Sequence, residues 1–315
     1  MDLSLIEYNI INLTSILNEL SPSKVGPYCV IPNVIKSSVN DSNRITLVLH
    51  GSYDRIHSTI EQHVLNWKGP VSLSVIFPKF SNLQNDHVYC AIQWYPINFA
   101  RNFARKQVKT KFILIADLDH TFSENFELKM RNLAIKALPE GSKRVLVYRI
   151  FEIDRGIPWP KSKKELKAFL NVGRAIEFHS RYSNAHQIPN LKTWLDEEDH
   201  GNTTTIQFSH PYDSYAWEPQ FVARNDIPFH DESFPYSARD NTVLRWELCR
   251  AGYEFSIVHD VFMFHPGIKT MKYKQKLDFA RKRTNKVSND AIYNFRLRMN
   301  ETYPGTAATC PEFQQ

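Results

Sequence analysis

The stretch Arg44 to His50 is a continuous β-branched and aliphatic run that stops at the turn-prone pair Gly51 and Ser52. Such a run reads as a buried strand. A helix is expected next, capped by Ser52 or Asp54, with Ile56, Ile60, His63, Val64 and Trp67 on one face and Lys68 to Pro70 ending it. A second strand follows at Val71 to Phe77. Strand, helix, strand is the signature of an α/β sheet with parallel neighbours, in which ligands gather beyond the carboxyl ends of the strands.

The alternation repeats. Tyr95 to Arg105 opens with a proline near a helix start, and Lys111 to Ala116 is another apolar strand, which delivers Asp117 and Asp119 to the sheet edge. Glu127 to Leu138 reads as a helix and Arg144 to Phe151 as a strand. Residues 156 to 215 are polar and rich in Pro, Asn and His, with one clear helix at Ser162 to Asn171, and suit a loop-rich substrate face. Strand character returns at Phe221 to Arg224. A helix from Asp240 to Ala251 stops at Gly252, and two strand pieces, Glu254 to His259 and Val261 to His265, follow.

At 315 residues, 42% of them hydrophobic and 23% charged, the chain fits one large α/β domain and is not a disordered one. The expected division is an N-terminal extension at 1–43, a main domain at 44–267 and a basic helical segment at 268–315. In the extension, Leu3, Ile6, Ile10, Leu13 and Leu17 fall at helical spacing. The formal charge of +6 comes with no zinc-finger or RNP-type pattern, so no nucleic acid is expected. No run approaches the roughly 18 apolar residues of a membrane span, and the opening residues lack a signal-peptide pattern. The four cysteines form no C-x-x-C pair. Asn12, Asn40, Asn202 and Asn300 each begin a glycosylation sequon.

Asp117-Leu118-Asp119 carries the sharpest chemistry. Two carboxylates at i and i+2, leaving a rigid strand at its tip, suit a hard divalent cation, although aspartates also form ordinary strand-end turns. A cation there bridges the phosphates of a nucleoside diphosphate and neutralises a leaving group. His265 ends an apolar strand just before Pro266 and Gly267 and is the candidate third ligand. Carboxylates fit Mg²⁺ or Mn²⁺, and an imidazole tilts the choice towards Mn²⁺. For the general base that an inverting displacement requires, two carboxylates stay open: Asp240, at a helix start where an N-cap is the plainer role, and Glu218, between Trp217 and Pro219.

Together these segments resemble the LARGE-type glycosyltransferases of family 49, which include β-1,4-glucuronyltransferases acting on the O-mannosyl glycan of dystroglycan. The similar blocks are Ile45 to Arg55, Asn66 to Pro70, Tyr95 to Asn102, the strand into Asp117 to Asp119, Phe151 and Glu152 with Pro160 to Leu166, Trp217 to Pro219, and Ala251 through His265. They keep the family order over residues 44 to 267. The resemblance implies a GT-A fold with a mostly parallel sheet flanked by helices, a UDP-sugar donor such as UDP-glucuronic acid, inversion, and Mn²⁺ on residues matching Asp117, Asp119 and His265. It places His50, Gly51, Ser52 and Arg55 at the nucleotide and Asn98, Arg101 and Asn102 on the donor wall. Charge alone adds Lys269 at the diphosphate. A glycan or glycoprotein acceptor and a Golgi or secretory location, behind an anchor not visible in this sequence, are also implied. The chain departs from the family pattern at His120, usually apolar, at Ser123, usually Pro, and at Phe234 to Arg239, which lacks the usual glycines. A non-catalytic glycan- or protein-binding relative is the alternative that this altered loop raises.

Overall fold

The computed structural model describes residues 23–56, 60–77 and 95–314. The amphipathic helix expected within 1–20 lies outside them. In chain order the strands are β1 (Ser23–Val25), β2 (Tyr28–Val30), β3 (Ile45–Ser52), β4 (Val71–Ile76), β5 (Phe112–Ile115), β6 (Thr121–Phe122), β7 (Arg144–Ile153), β8 (Ala175–Glu177), β9 (Ile206–His210), β10 (Gln220–Arg224) and β11 (Glu254–Pro266). The helices are α1 (Ile60–Trp67), α2 (Ile97–Lys106), α3 (Phe126–Ala137), α4 (Lys163–Asn171), α5 (Leu191–Asp196), α6 (Thr242–Arg250), α7 (Met271–Lys282) and α8 (Asn285–Thr302).

One sheet runs β4-β3-β5-β10-β7-β11-β6, with β8 beside β7 and β9 beside β11. β3 lies parallel to β4 and β5, and β7 lies parallel to β11. Between these groups β10 runs antiparallel to both β5 and β7, so the sheet is mixed where the sequence pattern pointed to a mostly parallel one. Strand direction depends on how a long excursion returns, and residues 178 to 219 bring the chain back from the opposite side.

Period-two alternation builds a core on each face. Val48, Ile113, Val145, Val147 and Ala223 face α6 and α8. Their neighbours Leu47, Leu49, Leu114, Leu146, Tyr148 and Val222 face α1 and α3. A third cluster, with Phe151, Leu166, Trp194, Phe262 and Phe264, seats α4 and α5.

Several elements depart from their expected form. α1 begins only at Ile60, after a separate 3₁₀ turn at Tyr53–Arg55, and Val64 points outward while His63 and Trp67 are buried. Ser162, expected as the first residue of a helix, instead caps α4, accepting from the Glu165 amide at 3.3 Å. The region 156 to 215 holds β8, α5 and β9 besides the single helix foreseen. The two strand pieces near the C-terminal end are one strand, β11, whose register against β7 shifts between Ile257 and Phe262.

The C-terminal segment is part of the core. Ala291, Ile292, Phe295 and Met299 of α8 are buried with Trp246 and Phe313, and a Cys249–Cys310 disulfide ties α6 to the chain beyond α8. No residue of α7 is buried.

Candidate active site

β5 ends at Ile115, and after the buried Ala116 the next four residues turn Asp117, Asp119 and His120 to one place. Their donor atoms lie within 4.8 Å of one another. Gly51, at the end of the neighbouring β3, makes this turn sterically feasible: a Cβ there collides with the Leu118 side chain.

β11 brings the fourth group. His265 Nε2 lies 3.0 Å from Asp119 Oδ2, and its Nδ1 lies 3.0 Å from the carbonyl oxygen of Gly267. A carbonyl only accepts, so Nδ1 carries a proton and the neutral ring has a bare Nε2 facing a carboxylate. That contact requires a proton or a metal cation, so the donor set fits a divalent ion. Gly267 sits at φ +109° against the Arg155 side chain, a conformation L side chains rarely adopt.

His120 is arranged differently. Its buried ring accepts from the Asp117 amide at Nδ1 (3.4 Å), which leaves the proton on Nε2, 3.9 and 4.0 Å from Asp117 and Asp119. Burial pulls its pKa down to about 4, so the ring is neutral. The sequence reading noted His120 only as a departure, although its adjacency to the acidic pair was a visible signal.

The carboxylates are held ionised. Desolvation works to raise Asp117, but His50, His120 and Arg101 keep it well below the usual carboxylate range. Desolvation also opposes Asp119, which the contact with His265, made when Nε2 bears a proton, and His120 lower to about 2. His50 Nε2 is 3.2 Å from Asp117 Oδ1, and its Nδ1 meets the Tyr95 hydroxyl at 2.8 Å. Tyr95 did not figure among the sequence candidates, since a lone tyrosine at a helix entrance carries no spacing signal.

Arg101 extends the network. Its guanidinium reaches Asp240 at 3.0 Å and Asp117 at 3.4 Å, bridging the acidic turn to the start of α6. Asp240 is therefore not an N-cap; the helix begins after Asn241, whose side chain makes no capping bond. Burial raises the Asp240 pKa even though Arg101 lowers it. Glu218 is buried too, but His186, Arg245 and the amide of Asn241, which donates to it at 2.5 Å, outweigh desolvation and lower its pKa.

Two of the expected donor-wall residues are differently placed. Asn98 donates to the Asp231 carbonyl oxygen (2.8 Å) and accepts from Arg101 (3.1 Å). Asn102 donates to His230 O and Glu232 (both 2.8 Å) and accepts from the His230 amide (3.0 Å). Both are buried and pin the 230–232 loop to α2, since every turn of α2 packed under that loop must satisfy the loop's backbone. Ser52 bonds Asp54, and Arg55 lies beside it at the end of β3. Lys269 does reach the site's flank: its ammonium lies over Phe178 (4.5 Å) and 3.2 Å from His179 Nε2. A cavity of about 570 Å³ opens beside Asp119 and His265, lined also by His63, Trp67 and Arg155.

Residues 77–304 match the family model described as "Glycosyl-transferase for dystroglycan". The chain belongs to this family. Beta-1,4-glucuronyltransferase 1 of Danio rerio is 28% identical over 222 residues, covering 69% of this chain and 49% of that protein. Xylosyl- and glucuronyltransferase LARGE1 of Homo sapiens is 26% identical over 266 residues, covering 78% of this chain and 33% of that protein. The chain thus spans about half the length of the first relative and a third of the second. Among solved structures, GalNAc-T7 with UDP, GalNAc and Mn²⁺ aligns at a TM-score of 0.39 and 9% identity over 72% of this chain and 44% of that one, a likeness too slight to bear on the chemistry. The α/β class, with a mixed sheet flanked by helices, agrees with the GT-A architecture expected from sequence.

Proposed function

We propose that this chain is an inverting, metal-dependent glycosyltransferase of the GT-A type that moves a sugar from a UDP-sugar to a glycan hydroxyl. The observation that carries the reading is the pair Asp117 and Asp119 just after β5, with His265 of β11 3.0 Å from Asp119, in a chain of this family. Asp117, Asp119 and the bare Nε2 of His265 would hold Mn²⁺, or Mg²⁺, which supplies charge neutralisation at a departing diphosphate. His120, whose Nε2 bears its proton, stays a neutral neighbour.

Asp240 is assigned as the general base. Its raised pKa makes it the more basic of the two candidates, and Arg101 fixes it one guanidinium away from Asp117. Glu218, drawn down in pKa, positions Asn241 at the same helix start. Lys269, whose ammonium lies over Phe178, adds positive charge for phosphate oxygens. Gly51, Ser52 and Arg55, at the carboxyl end of β3, border the nucleotide. UDP-glucuronic acid is the first donor to try, because both relatives are named as glucuronyltransferases. A secretory, Golgi-type lumen agrees with the Cys249–Cys310 disulfide; no described helix is long and apolar enough to cross a membrane.

The test is transfer or hydrolysis of UDP-sugars with Mn²⁺ and with chelator, in wild type, Asp117→Ala and His265→Ala. Activity that is equal in all of these overturns the metal assignment. The non-catalytic reading draws on the loop before Asp240, where Ser237 and Arg239 adopt φ of +69° and +60° without being glycines. It wins if UDP with Mn²⁺ gives no thermal shift while a glycan does.

A further inference from the structure

A second imidazole–carboxylate cluster lies at the irregularity in β11, away from the turn after β5. Successive residues of a regular strand point to opposite faces. Here the register shift between Ile257 and Phe262, with Asp260 at φ +60°, turns His259 and Asp260 towards each other, Nδ1 to Oδ1 at 2.9 Å. A left-handed non-glycine residue costs on the order of 1 kcal/mol and persists only when its surroundings hold it. What holds it is the loop before β9. His200 donates its backbone amide to Asp260 Oδ1 (3.0 Å) and sets its ring Nδ1 2.8 Å from Asp260 Oδ2. Thr204 donates to the His259 carbonyl oxygen at 2.5 Å.

The two ring nitrogens of His200 and His259 also face each other at 3.2 Å. Protons hold this arrangement only if both rings donate to the one carboxylate, His259 to Oδ1 and His200 to Oδ2, with their N–H groups crowded at 3.2 Å; if either nitrogen is bare, it opposes a carboxylate oxygen. A cation between the two rings and the carboxylate offers both nitrogens and a carboxylate oxygen one shared partner. With bonds of about 2.0–2.1 Å, tetrahedral zinc places its donors about 3.3 Å apart, near the 3.2 Å between the two nitrogens and slightly beyond the 2.8 and 2.9 Å to the carboxylate. On its other side, His259 Nε2 meets Glu197 Oε2 at 2.6 Å, the carboxylate contact that orients a metal-bound imidazole.

Charge points the same way. Glu197, Asp199 and Asp260 surround one ammonium, Lys163, whose Nζ is 3.6 Å from Asp199 and 3.9 Å from Asp260. Neutral imidazoles leave two negative charges uncompensated, and the Asp260 carboxylate is fully buried. Lys163 is already engaged by the carbonyl oxygens of Trp194 (3.1 Å) and Glu197 (2.9 Å) and sits 3.0 Å from His259 Nε2 and 3.4 Å from Nδ1.

We propose that His200, His259 and Asp260 form a structural zinc site, with a water completing the shell at the solvent-exposed side of His200. The site staples the 197–204 loop to the bulge and fixes the register of the strand that presents His265. It stands independently of the sugar-transfer reading.

The experiment uses the full chain carrying Asp117→Ala and Asp119→Ala, which removes the other cluster, stripped with chelator and dialysed against zinc. Elemental analysis is expected to find one zinc per chain, and cobalt in its place to give the visible absorption of a tetrahedral site. Adding His200→Ala, at an exposed position, is expected to weaken zinc binding at least tenfold and to abolish the zinc-dependent rise in Tm; His200→Gln serves if the alanine variant does not fold. No zinc in the first variant, or undiminished zinc in the His200 variant, overturns the site.

Discussion

The turn after β5 and the bulge in β11 gather the same donor types, two or more imidazole and carboxylate groups, but offer them to different surroundings. At the turn, the side chains of Asp117 and Asp119 are 47% and 56% exposed, and Asp119 borders an open cavity. At the bulge, the Asp260 side chain is 0% exposed and a loop is clamped over it. Ligands beside a cavity leave coordination positions to a substrate, whereas a site closed by its own chain adds rigidity. The difference lies in what covers each cluster, not in which residues compose it.

The largest expected effect separates the two regions by reaction. Asp240→Asn is expected to lower kcat by roughly a hundred- to ten-thousand-fold, measured as sugar transfer, with little change in Tm. The base acts ionised, so activity is present above its pKa and lost as pH falls through it. Because burial raises that pKa, the acid limb lies above that of an ordinary aspartate, and the rate falls about tenfold per pH unit there. A limb that persists in Asp240→Asn and vanishes in Glu218→Gln reverses the assignment.

Next, Asp117→Ala and His265→Ala are expected to cost about a hundred- to a thousand-fold in transfer. They are also expected to abolish Mn²⁺ stimulation. By contrast, His200→Ala is expected to lower transfer about tenfold or less, because it acts only through the register of β11. A loss as large as that of His265→Ala would erase the distinction between the regions. The smallest effect is expected from Gly51→Ala: overpacking against Leu118 costs roughly 1–3 kcal/mol, read in Tm, with KM for the UDP-sugar rising.

Much of this site is legible in the sequence. Asp117 and Asp119 follow an apolar strand, and His265 ends another, so their place at strand tips follows from local pattern alone. Asp240 was legible as a carboxylate at a helix start, but its role turned on Arg101, which lies 139 residues away in sequence. Asn98 and Asn102 share α2 with Arg101, yet they face the 230–232 loop, and no helical spacing reveals which loop a helix face will meet. The bulge was read as a break between two strands, because a non-glycine residue at positive φ has no sequence signature.

By itself, then, the sequence determined the strands, most helices and the acidic turn, since each depends on the period of apolar residues and on the turn residues beside them. The tertiary structure decided that β10 enters antiparallel, that His265 meets Asp119, that Arg101 joins Asp117 to Asp240, and that His200 closes over the β11 bulge. Those contacts join residues from 16 to 146 positions apart. Their geometry is set by how whole elements pack, which local propensity does not encode.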